Sequence, residues 1–101
     1  MKPAFVLTHA AARDLEEILD YVAETGGEVV ALRVQDRLHE ALSLLARYPR
    51  LGHQREDLAL NQIRFWSVSS YVIVYRDDTS PLQIERVLHG ARDLQRLLEG
   101  L

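Results

Sequence analysis

The residues best equipped for chemistry crowd one short stretch, RVLHGARDL at 86–94, where Arg86, His89 and Arg92 bracket Gly90. Histidine titrates near neutral pH and serves as a general acid or base, and guanidinium groups offer fixed positive charge to a phosphate or carboxylate. Arg64 and Arg76 add two cations upstream, Arg64 beside Phe65 and Trp66, Arg76 after Tyr71 and Tyr75. Aromatics interleaved with arginine suit base stacking with phosphate contact, and they equally suit the packing of a strand. Strict strand alternation puts Arg86 on one face with Leu82, Ile84 and Leu88. There its charge requires a carboxylate such as Asp14 or Glu17, backbone carbonyls, or an anion from outside. The same alternation puts His89 on the opposite face.

Other chemistries find little support. The chain has no cysteine, and its four histidines, His9, His39, His53 and His89, show no metal-ligand spacing, so neither a metal site nor a cofactor is expected. Serines 43, 67, 69, 70 and 80 stand outside any nucleophile elbow, and the five glycines are too scattered for a phosphate-binding loop.

A length of 101 residues bounds the chain to a single domain, 1–101. The formal net charge of −3 argues against a free-standing nucleic-acid binder. The only lysine is Lys2, the acids crowd the stretch from Asp14 to Glu40, and many arginines lie in the C-terminal half, which leaves room for a basic face. The N-terminus does not read as a signal peptide, and no apolar run approaches the ~20 residues of a membrane span. A cytoplasmic protein with no membrane partner is expected.

The elements that position these residues follow from periodicity. PAFVLT at 3–8 is a short apolar run ending in Thr8, a helix N-cap. Leu15, Ile18, Leu19 and Val22 then share one helical face, and Gly26-Gly27 stops the helix. Ala31, Val34, Leu38, Ala41, Leu42 and Leu45 form the stripe of a second helix ended by Pro49. Three strand-like runs follow, IRFWSVS, SYVIVYR and LQIERVLH, with turns at Ser69-Ser70 and DDTSP. Tyr71, Ile73 and Tyr75 alternate with Val72 and Val74, so the middle strand is covered on both faces. Leu94, Leu97, Leu98 and Leu101 mark a last helix. The fold expected is α+β: a helical hairpin packed on a small antiparallel sheet, in the order β-α-α-β-β-β-α.

On particular residues the chain resembles the ParE branch of the RelE/ParE superfamily of type II toxins, also described as plasmid stabilisation system proteins. The resemblance rests on A-x-x-D-L-x-x-I at Ala11, Asp14, Leu15 and Ile18, on Tyr21, and on P-x-x-G at Pro49 and Gly52. Above all it rests on SYVIVYR at 70–76 and I-x-R-V-L-H-G-A-R-D at 84–93. It implies a RelE/ParE-like fold and a toxin neutralised by a ParD-like antitoxin, whose segment would lay a helix on the hairpin and add a strand to a sheet edge. It further implies a hetero-oligomer with that antitoxin, the free toxin being a monomer or dimer, and DNA gyrase as the target. Arg64, Arg76, Arg86, His89 and Arg92 are then the expected target-facing residues. RelE-like relatives instead cut messenger RNA in the ribosome. That alternative would use Arg64, Arg86 and His89, with Glu56 or Glu85 as a further acid. A third reading is a non-toxic remnant that only binds antitoxin.

Overall fold

The computed structural model describes residues 3–55 and 62–99, the side chains of residues 91 and 92 excepted. Lys2, Glu56, Leu101 and the side chain of Arg92 therefore lie outside the described residues. The elements run β1 Phe5–Leu7, α1 His9–Gly26, α2 Glu28–Arg47, β2 Ile63–Val68, β3 Tyr71–Arg76, β4 Leu82–His89 and α3 Gly90–Glu99, the order expected from sequence.

Thr8 caps α1 as its position predicts: its hydroxyl oxygen accepts from the Ala11 N–H at 3.1 Å. The same hydroxyl donates to the Glu85 carbonyl at 2.8 Å, so the cap also fixes where α1 leaves the sheet. The hairpin turn is reduced to one residue. Gly27 has φ +89°, a conformation costly for any side chain, and it ends α1 while starting α2. From the two helices Ala11, Ile18, Leu38, Ala41, Leu42 and Leu45 are buried, with Leu15, Val22 and Val34 packed beside them.

The sheet order is β1-β4-β3-β2. Strands β2, β3 and β4 form the expected antiparallel meander, but β1 lies parallel to β4 and makes the sheet mixed. A parallel neighbour requires a long crossover, and here the helical hairpin together with the first two meander strands provides it. Ser69-Ser70 is the two-residue turn between β2 and β3. Ser69 takes φ 53°, and its hydroxyl accepts from the Arg37 guanidinium at 2.7 Å.

Both faces of β3 are covered. Tyr71, Ile73 and Tyr75 pack against the hairpin with Leu82, Ile84 and Val87. Val72 and Val74 join Phe65 and Leu88 under Leu94, Leu97 and Leu98 of α3. Phe65 and Tyr75 are buried and Trp66 packs against the hairpin core, so these aromatics belong to the interior rather than to a stacking platform.

The P-x-x-G segment has a direct physical role. The fully buried Tyr75 hydroxyl donates to the Pro49 carbonyl and accepts from the Gly52 N–H, both at 2.8 Å, and so ties the end of α2 to β3. A Cβ on Gly52 would stand 2.5 Å from that hydroxyl oxygen, which only glycine avoids.

Candidate functional site

One departure from strand alternation organises the candidate site. Val74 pairs with Arg86 but Tyr75 pairs with Ile84, so β4 carries a bulge at Glu85. The extra residue shifts the parity of everything after it. Leu82 and Ile84 share the hairpin face with Val87, whereas Leu88 joins the α3 face, so the expected grouping of Leu82, Ile84, Arg86 and Leu88 is not formed.

The second organising feature is the shortness of β1. It pairs with β4 only as far as Leu7 and Ile84, and the Thr8 N–H bonds to the Ile84 carbonyl. Beyond that point no strand among the described residues lies beside the β4 edge, and unpaired edge groups need other partners. Side chains supply them: Thr8 bonds to the Glu85 carbonyl, Asp14 accepts from the Val87 N–H at 3.0 Å, and Asp93 accepts from the His89 N–H at 3.3 Å.

Asp14 also decides the fate of Arg86. Its two oxygens accept from Arg86 Nε at 2.7 Å and Nη2 at 2.9 Å, a bidentate pair. Arg86 pairs across the ladder with Val74, a residue of the α3 face, yet its guanidinium lies on α1, reached across the open edge of β4. The Asp14 hydrogen bonds hold the Arg86 pKa above its ordinary value despite partial burial, helped by the charges of Asp93 and Glu17. Of the partners expected for Arg86, the structure selects Asp14.

Alternation places His89 away from Arg86, but the two line one open cleft of about 680 Å³ between α1, the end of β4 and α3. His89 is exposed, its ring 5.1 Å from that of Tyr71 and 6.4 Å from that of Tyr21, centroid to centroid. Burial, and secondarily the neighbouring Tyr21 phenol, push the Tyr71 pKa up. Glu17, Asp93 and Arg96 complete the polar lining. Tyr21, Glu17 and Asp93 are site residues that inspection for cations passes over, and Arg96 joins them as a cation outside the expected set. The signal for the first two was present, because Asp14, Glu17, Ile18 and Tyr21 recur at three- and four-residue spacing on one face of α1.

The remaining arginines are elsewhere. Arg64 pairs opposite Tyr75, whereas His89 pairs opposite Tyr71, four residues away along β3 or about 13 Å at the strand rise. Arg64 is bonded to Asp77 and donates to the carbonyls of Gly52 at 2.9 Å and Arg50 at 3.2 Å. Arg76 forms a bidentate, half-exposed pair with Asp78, which raises the arginine's pKa and lowers that of the aspartate. Glu85, at the bulge, accepts from the Gln83 amide. The structure thus brings Arg86 and His89 together and holds Arg64 and Arg76 at the far end of the sheet. Among the described residues no three His, Asp or Glu side chains cluster as metal ligands, and no helix is long and apolar enough to cross a membrane.

Comparison with known proteins agrees with this geometry. Residues 5–94 match the family model of the ParE toxin of type II toxin-antitoxin systems, parDE. Toxin ParE3 of Caulobacter vibrioides is 30% identical over 89 residues, which cover 88% of this chain and 88% of that protein. A solved structure, the chromosomal ParDE toxin-antitoxin system from P. aeruginosa, superposes with a TM-score of 0.71 at 22% identity, covering 85% of this chain and 94% of its own, and so shares the fold. The sheet, the hairpin and the Asp14–Arg86 tie are therefore those of a chain that belongs to the family of ParE toxins of type II toxin-antitoxin systems.

Proposed function

We propose that this ParE-family toxin arrests its target by binding rather than by cutting, that the target is DNA gyrase, and that a ParD-like antitoxin neutralises it in the cytoplasm. The observation that carries the reading is the engagement of the arginines by carboxylates: Arg64 by Asp77, Arg76 by Asp78 and Arg86 by Asp14. Metal-independent RNA cleavage requires cations, a base and an acid converging on one phosphate. Arg64, Arg86 and His89 do not converge, and the carboxylates beside Arg86 oppose a developing phosphorane charge. Helix α3 also occupies a sheet face that a nuclease would leave open.

The antitoxin's landing surface on this reading is α2, where Val29 and Leu32 are largely exposed and apolar, a match for an amphipathic helix. We expect the whole chain to act as one toxin domain, in a hetero-oligomer with its antitoxin. The test is DNA supercoiling by purified gyrase with the antitoxin-free protein, read beside the integrity of ribosome-bound transcripts. Lost supercoiling with intact transcripts supports the proposal. Cut transcripts with normal supercoiling overturn it in favour of the ribosome-dependent nuclease, and no effect on either leaves an antitoxin-binding remnant.

A further inference from the structure

We propose that the cleft between α1, β4 and α3 is a receptor for the guanidinium group of an arginine side chain presented by a partner protein. Two observations carry it. The first is charge. Asp14 and Arg86 neutralise one another, after which Glu17 and Asp93 remain in the cleft against Arg96 at its rim. Glu17 has no hydrogen-bond or ion-pair partner among the described residues, and Asp93 spends one oxygen on the His89 N–H. Both carboxylates line the cleft that Arg86 also lines, and their charges help to raise its pKa. An anion entering there meets two carboxylates and an arginine already bidentately engaged, with Arg96 as the remaining cation of the described lining. A cation meets two carboxylates set against that one arginine.

The second is shape and chemistry of the wall. The His89 ring lies 5.1 Å from that of Tyr71 and 6.4 Å from that of Tyr21. Tyr21 is 57% exposed, so its ring is available at the mouth. Aromatic faces attract cations, and a planar guanidinium both stacks on them and donates a fork of N–H groups to carboxylates. At about 680 Å³ and open to solvent, the cleft accommodates a side chain together with its neighbours in a peptide. A capped, peptide-borne arginine brings the guanidinium without an α-carboxylate for Glu17 and Asp93 to repel or an α-ammonium to compete for them. The site stands independently of which macromolecule the toxin arrests.

The test is a proton NMR titration of the antitoxin-free chain with Nα-acetyl-arginine amide, following the ring resonances of Tyr21, Tyr71 and His89. Parallel titrations use the isosteric neutral probe Nα-acetyl-citrulline amide and inorganic phosphate. The capped arginine is expected to shift all three rings with an affinity on the order of millimolar, at least about tenfold tighter than citrulline. Glu17→Gln, an exposed change that spares the fold, is expected to weaken it several-fold. Equal binding of citrulline overturns the proposal, as does phosphate shifting the rings at lower concentration than arginine. Arginine shifts that survive both Glu17→Gln and Tyr21→Leu also overturn it.

Discussion

Asp14 Oδ2 accepts from both Arg86 Nε and the Val87 N–H, so one carboxylate oxygen on the first helix holds a side chain and the backbone of the last strand, more than seventy positions away. The contact joins two segments on which family resemblance rests, A-x-x-D-L-x-x-I and I-x-R-V-L-H-G. Their shared constraint is mechanical: a strand edge left bare by a short β1 has to be closed, and the arginine beside it has to be neutralised.

Asp14→Ala is expected to destabilise the protein by about 1–3 kcal/mol, because it strands a guanidinium and a backbone donor together. Arg86→Met in the Asp14→Ala background should recover part of that loss by removing the unpaired charge. Urea unfolding of the two single variants and the double variant measures the coupling. A single Asp14→Ala within about 0.5 kcal/mol of the parent, the range of ordinary surface changes, would contradict a structural tie.

Gly52→Ala forces a Cβ to within 2.5 Å of the Tyr75 hydroxyl and 2.8 Å of its ring. Overpacking of a buried site costs about 1–3 kcal/mol, and Tyr75→Phe separately costs about the same by orphaning the Gly52 N–H and the Pro49 carbonyl. Because the clashing oxygen is absent in the double variant, that variant should lose less than the sum of the two single losses. Strict additivity in denaturant melts would count against the contact.

Tyr75 titrates above the ordinary tyrosine range, chiefly through burial, with Asp77 adding to the rise and the Gly52 hydrogen bond and Arg64 opposing it. A raised acid pKa means that the folded state keeps its proton longer than the unfolded chain. The associated stability is whole below the unfolded value of about 10 and is lost as pH climbs toward the folded value. Unfolding free energy should therefore fall in alkaline solution above about pH 10, and Tyr75→Phe should flatten that fall. An unchanged slope in the variant would assign the alkaline loss to other groups, Tyr71 among them.

Adjacent glycines should respond with opposite signs. Gly27, at φ +89°, is expected to lose about 1–2 kcal/mol on substitution by alanine. Gly26 is the last residue of α1, where an added Cβ meets Val30 at an ordinary 3.4 Å, so Gly26→Ala should be neutral or gain up to about 1 kcal/mol of helix propensity. Thermal melts of the two single variants decide it.

Arg76→Ala removes a half-exposed ion pair and should leave stability within about 0.5 kcal/mol of the parent. That makes it the cleanest probe of a target-facing role at the far end of the sheet. A folded variant with full inhibition of supercoiling would place the target contacts elsewhere, and one with none would centre them on Arg76.

Local periodicity was enough to recover both helices of the hairpin, the three meander strands and the last helix. Each of these buries a stripe whose spacing, 3.6 or 2, is written in consecutive residues. The Thr8 cap and the Gly27 stop were legible for the same reason, since each acts on backbone groups within a few positions. The parallel placement of β1 was not, because a three-residue strand carries no mark of its neighbour, which here is more than seventy residues downstream.

The candidate site divides along that line. Arg86 and His89 announced themselves by type, and the demand of a half-buried guanidinium for a carboxylate followed from electrostatics alone. Which carboxylate, and in what company, depended on a bulge at Glu85 that shifts side-chain parity and on a β1 too short to cover the β4 edge. Neither is encoded in local hydrophobic alternation. Only long-range packing could separate Arg64 from His89 along β3 while bringing Glu17, Tyr21 and Asp93 into one cleft, because those distances are set by which elements lie side by side rather than by which residues follow one another.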